Sequence, residues 1–102
     1  MPGKYIMKNT QIGDNTKINK AIIAENCYIG FGCELGVGEI VPNIKFPKIY
    51  TDGLVTIGEN SVIPNSVKIG KNTAISGGTT IDDYPSGILK SGESIIKAGD
   101  FR

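Results

Sequence analysis

The sequence contains no histidine and no tryptophan, has only two cysteines, and carries a single arginine, the final residue Arg102. Each shortage removes some chemistry. Without an imidazole there is no side chain whose ordinary pKa lies near neutrality. A carboxylate could in principle replace it as general base, but no Asp or Glu here has a recognisable partner. No apolar run approaches the ~20 residues of a membrane span, and "MPGKYIMKNT" lacks the continuous apolar stretch of a signal peptide. Charge of either sign is also lacking in excess: eleven basic residues face ten acidic ones, for a net +1. Nothing in that balance attracts nucleic acid or an anionic membrane. These observations predict one soluble, cytoplasmic domain with no nucleic-acid and no membrane partner.

What the chain does have is a period. In "VTIGENSVIPNSVKIGKNTAISGG", residues 55 to 78, an isoleucine recurs at every sixth position: Ile57, Ile63, Ile69 and Ile75, with Ile81 extending the series. Strand residues two apart share a face, so a second inward set lies two positions earlier: Val55, Ser61, Val67, Thr73 and Thr79. Val62, Lys68 and Ala74, between them, are expected to point outward. Corner residues follow each isoleucine. Gly58, Pro64, Gly70, Ser76 and Asp82 come first, and Asn60, Ser66, Asn72 and Gly78 stand two positions on. These types turn the chain or accept positive φ at low cost. Three such units make one triangular coil of about 18 residues, and coils stack at ~4.8 Å. Ile57 is then expected against Ile75, and Ile63 against Ile81. The fold class read from this pattern is all-β, a parallel β-helix.

An earlier block repeats the register less cleanly. Ile6, Ile12 and Ile18 are in step, as are Ile23, Ile29 and Leu35, with one shorter step between Ile18 and Ile23. Gly13, Asn15, Asn26, Gly30 and Gly36 supply its corners. Cys27 and Cys33 fall at the small inward position, have no zinc or redox spacing, and read as reduced core thiols. Charged Glu39 at the next such position marks the loss of register. The domain division expected is a single domain over 1–102. It has first coils over 1–40, an extruded loop over 41–54, regular coils over 55–81 and a capping tail over 82–102. Two prolines and the Asp52-Gly53 turn mark the loop, whose Phe46, Ile49 and Tyr50 are expected to pack on a flank or a partner. Together with the exposed flanks of the coil, these apolar groups predict self-association.

Candidate chemistry is sparse. "SGG" at 76 to 78 stays in register and lacks the Lys-Ser/Thr ending of a P-loop. Asp82-Asp83, before Tyr84-Pro85, reads as a turn with no second ligand cluster for a metal. Lysines 45, 48, 90 and 97 are isolated. No catalytic residue, cofactor or metal site is read from the chain, which describes a scaffold.

With these stretches laid out, the chain resembles the C-terminal left-handed β-helix domain of bacterial glucose-1-phosphate adenylyltransferase. "PGKYI" at 2 to 6 looks like the entry from a preceding linker, and "INKAIIAENCYIG" at 18 to 30 like the short-step coil. "FPKIYTDGLVTIGENSVIPNSVKIGKNTAI" at 46 to 75 is the most specific match, joining an aperiodic loop to the repeat. "LKSGESI" at 89 to 95 looks like the closing segment. The resemblance implies the left hand of the coil. It also implies a parent enzyme making ADP-glucose and pyrophosphate from ATP and glucose 1-phosphate, towards glycogen. That chemistry would belong to an N-terminal nucleotidyltransferase domain whose Gly-rich, Arg-containing loop has no counterpart here, so this chain alone is expected to be inactive. What it would supply is subunit assembly as a homo-oligomer, contact with the nucleotidyltransferase domain, and allosteric regulation by a sugar phosphate or other anion. Lys90 and Lys97 are the contacts for that effector by type and place. Met1 before "PGKYI" fits an excised domain or a natural short protein. Two other readings accompany this one: a free-standing β-helix scaffold, and a hexapeptide acyltransferase, which the missing histidine disfavours.

Overall fold

The computed structural model describes residues 4–48 and 52–97; Ile49, Tyr50 and Arg102 lie outside them. Among the described residues twelve short strands follow one another: β1 (Lys4–Ile6), β2 (Gln11–Ile12), β3 (Lys17–Ile18), β4 (Ala21–Ile23), β5 (Tyr28–Ile29) and β6 (Glu34–Val37) form the first half. β7 (Val55–Ile57), β8 (Val62–Ile63), β9 (Lys68–Gly70), β10 (Thr73–Ile75), β11 (Ile88–Leu89) and β12 (Ser94–Ile95) form the second, with a 3-10 helix at Ile81–Asp83 between β10 and β11. They build three parallel sheets, ordered β1-β4-β7-β10-β12, β2-β5-β8, and β3-β6-β9-β11. From β1 to β10 successive strands thus visit the three sheets in turn, and the 3-10 helix then intervenes before β11 and β12. Each return to a sheet adds one rung, the topology of a three-sided coil.

Register follows the sequence period. Ile6, Ile23, Ile57, Ile75 and Ile95 stack on one side, Ile12, Ile29 and Ile63 on the second, and Ile18, Leu35, Ile69 and Leu89 on the third. Inside, this column is the hydrophobic core, with Ile23, Ile29, Leu35, Ile63 and Ile69 fully buried. Each such side chain withdrawn from water stabilises the fold by roughly 1.5–3 kcal/mol.

The small inward residues do more than fit. At one corner the Thr10 hydroxyl donates to the Ala24 carbonyl of the next coil (2.8 Å) and accepts from the Cys27 N–H (3.2 Å). One rung up, the Cys27 thiol donates to the Gly58 carbonyl (3.2 Å), and above it the Ser61 hydroxyl donates to the Ser76 carbonyl (3.2 Å). At the next corner Thr16 reaches Gly30 (2.6 Å) and Cys33 reaches Pro64 (3.1 Å) in the same way. Thr, Cys and Ser therefore make equivalent bonds in two hydrogen-bond ladders, one at each corner, and both cysteines are buried free thiols. Asn9, Asn15, Asn26, Asn60, Ser66 and Asn72 all adopt φ near +60°, the conformation that Asn tolerates best among residues with a side chain. Gly58 serves differently: a Cβ there would strike the backbone of Gly77 on the coil above.

Two expectations require correction. Ile81 does not stack on Ile63; it begins the 3-10 helix and is 64% exposed. The sheet of β2, β5 and β8 ends where the Val62 N–H meets the Thr79 carbonyl, and the chain then tightens into 3-10 bonds. The buried side chain at this end is Tyr84, whose hydroxyl pairs with that of Thr79 (3.0 Å). Ala74 points outward as expected, yet it is only 5% exposed. Its rung neighbour Ser94 carries Asn43 from the segment between β6 and β7, which therefore lies on that outer face. The residues beyond Ile81 also re-enter the coil, because β11 and β12 each add a rung.

Candidate functional site

Three faces of the coil differ in what they present outward. The first, centred on β7 and β10, is overlaid at its upper rungs by the segment following Val37. Two asparagines hold that segment there. Asn72, at a positive-φ corner and fully buried, donates through Nδ2 to the Val41 carbonyl (2.7 Å) and accepts through Oδ1 from the Gly53 N–H (2.7 Å). One side chain thus joins both stems of the excursion. Asn43, also buried, donates to the Asn72 carbonyl (2.7 Å), while its Oδ1 accepts from the N–H groups of Lys45 and Phe46 (both 2.9 Å). The Ile44 N–H reaches the Gly92 carbonyl (2.9 Å), tying the loop to the turn before β12. Beside this junction a shallow depression of about 400 Å³ is lined by Ile44, Lys45, Glu93 and Ser94. Phe46 is half-buried.

Lys90 and Lys97 sit at different corners of the last coil. Lys90 follows β11 and is exposed, and its backbone N–H is bonded to the Glu93 carboxylate (3.1 Å). Lys97 follows β12. Its N–H bonds to the Ser76 hydroxyl (2.9 Å), and its ammonium pairs with Asp83 (3.0 Å). Asp83 also accepts from the Thr80 N–H (2.8 Å). That N–H first, and the Lys97 ammonium second, hold its carboxyl below the usual carboxylate range. The Lys97 charge is accordingly already engaged, and the ion pair joins the 3-10 helix to the end of β12. Asp82 and Asp83, adjacent in sequence, occupy a single 3-10 turn, and among the described residues no three His, Cys, Asp or Glu converge on a possible metal position.

Two further groups have perturbed acidity. Burial pushes the Tyr84 phenol up to about 12, against the opposing effect of its hydrogen bond with Thr79. Burial likewise raises the Cys27 thiol, so it is the unreactive neutral form that fills the ladder. Sequence reasoning missed Asn43, and it read Asn72 only as a turn residue. The signal available was the pairing of an amide with an aperiodic insertion; nothing local says which carbonyls it would meet. What this arrangement can do chemically is hold surfaces in place.

Comparisons with known proteins agree in direction. No family model matches the chain, and no solved structure does. Among curated proteins, a glucose-1-phosphate adenylyltransferase of Lachnospira eligens is 69% identical over 65 residues, 64% of this chain and 15% of the relative. One of Acetivibrio thermocellus is 37% identical over 95 residues, 93% of this chain and 22% of the relative. One of Thermotoga maritima is 43% identical over 62 residues, again 15% of the relative. The chain therefore spans about a fifth or less of the length of these relatives.

Proposed function

We propose that this chain, which is homologous to a segment of the glucose-1-phosphate adenylyltransferases, works as the non-catalytic left-handed β-helix domain of such an enzyme. It occupies a single domain over 1–102, and the nucleotidyltransferase chemistry belongs to another domain. The parent reaction is ATP plus glucose 1-phosphate to ADP-glucose plus pyrophosphate, in glycogen biosynthesis, and a cytoplasmic location follows from that reading. The role of this part is to join subunits, to contact the nucleotidyltransferase domain and to transmit effector binding.

The observation that carries the reading is the 69% identity to a short stretch of a much longer enzyme. The residues themselves support it. They build a coil whose polar interior atoms are spent on the hydrogen-bond ladders, and among the described residues no buried side-chain N or O lacks a partner. For an anionic effector such as a sugar phosphate, Lys90 is the better placed of the two lysines, because Lys97 must first release Asp83. The test is direct. Purified chain given ATP and glucose 1-phosphate is expected to release no pyrophosphate. The nucleotidyltransferase portion of a relative, produced alone and then together with this chain, is expected to assemble with it and respond to effector only in its presence. Turnover by the chain alone, or no association, overturns the reading.

A further inference from the structure

The bonds that stack one coil on the next fall into series. On the side of β2, β5 and β8, the N–H before each inward isoleucine donates to a carbonyl one coil up. Gln11 reaches Cys27 (3.0 Å), Tyr28 reaches Ser61 (2.9 Å) and Val62 reaches Thr79 (2.9 Å). On the side of β3, β6, β9 and β11, Lys17 reaches Cys33 (2.8 Å), Glu34 reaches Val67 (3.0 Å) and Lys68 reaches Gly87 (2.9 Å). The N–H after the inward residue behaves alike on that side, as Asn19 does towards Leu35 (2.9 Å). Thr80, Ile88 and Lys90 come next in these three series.

All three N–H groups turn to side chains close by in the chain. Thr80 donates to the Asp83 carboxylate (2.8 Å), Ile88 to the Ser86 hydroxyl (3.3 Å) and Lys90 to the Glu93 carboxylate (3.1 Å). Any one of these bonds is ordinary turn chemistry. Together they take up the next donor in every one of the three series. A row of N–H groups at the edge of a sheet is a template for another strand, and here the template is occupied from within.

The first coil presents the matching half. Carbonyls of Cys27, Cys33 and Leu35 accept from the coil below them. By register, those of Thr10, Thr16 and Ile18 therefore face away from the coil at its lower end. A second copy set head to tail brings these carbonyls over Thr80, Ile88 and Lys90. That contact is heterologous and does not close, so it would repeat without limit. We propose that Asp83, Ser86 and Glu93 seal the upper end of the coil against head-to-tail addition of another copy of this chain. The seal stands apart from the functional reading above.

Sedimentation velocity of the pure chain over rising concentration tests it. Wild type is expected to reach a limiting mass. The triple variant Asp83→Ala, Ser86→Ala, Glu93→Ala is expected to lose that limit and keep growing, with an unchanged circular dichroism spectrum. Asp83→Asn with Glu93→Gln removes both charges but keeps an acceptor oxygen at each place, and retains the limiting mass. Ile63→Val, loosened in the core and still sealed, retains it too. Wild type mixed into the growing variant brings a lower end and a sealed upper one, so it is expected to halt growth and shorten the assemblies. Ser86→Ala with Glu93→Ala leaves the pair of Asp83 and Lys97 in place and is expected to grow as well, which decides the matter if the triple variant does not fold. Limitless growth of wild type or of Ile63→Val overturns the proposal. So does a folded, unsealed variant of limiting mass, growth of the Asn and Gln variant equal to that of the alanine one, or growth that wild type fails to halt.

Discussion

The coil and the loop laid over it are ordered by different means. In the coil every rung repeats its neighbour: one isoleucine column per side, and a ladder in which Thr10, Cys27 and Ser61 make equivalent bonds. Loss of one rung leaves the others. The loop between Val37 and Val55 has no repeat, and its attachment converges on Asn43 and Asn72, with one amide holding both Val41 and Gly53. Redundancy makes the coil a framework, whereas convergence makes the loop a unit that one residue can release.

Breaking the coil is expected to cost most. Ile63→Ala empties a fully buried position and should lower stability by about 2–5 kcal/mol, seen as a global shift in the urea midpoint. Asn72→Ala comes next, at about 2–3 kcal/mol. It leaves the Gly53 N–H and the Val41 carbonyl without partners, and a Cβ-bearing residue without a side-chain amide remains at φ +57°. Asn72→Gly separates the two causes, because it relieves the backbone and still loses the amide. Smallest is a pH effect at the capped end. Tyr84 is raised to about 12 in the folded chain from an ordinary 10. Its contribution is therefore fully present below about pH 10 and declines between about 10 and 12, as the unfolded chain ionises first. Tyr84→Phe should flatten that decline in melts followed across the range.

The same contrast explains what could be read from the sequence. Columns were legible because inward residues recur at fixed spacing, so the places of Ile57, Val67 and Cys33 followed from counting. Counting failed at Ile81, where the spacing held but the backbone did not. A rung there would have needed extended chain, and Asp83 instead closes a 3-10 turn through Thr80 and Lys97. Tyr84, the group that fills the end, stands outside the period. The partners of Asn43 and Asn72 were out of reach for a similar reason. Each bond spans a long separation in sequence, and an amide carries no local sign of the carbonyl it will find. Lys97 was read as a free cation because Asp83 lies fourteen residues away. Of the two lysines proposed for an effector, Lys97 is the one whose surroundings the geometry changes, because Asp83 already holds its ammonium.

Amide hydrogen exchange on wild type and Asn72→Ala tests the division between framework and loop most directly. The account predicts faster exchange confined to the segment between Val37 and Val55, with protection retained at Ile29, Ile63 and Ile69. Exchange that rises equally in the strands of all three sheets would contradict it, because loop and coil would then be one cooperative unit.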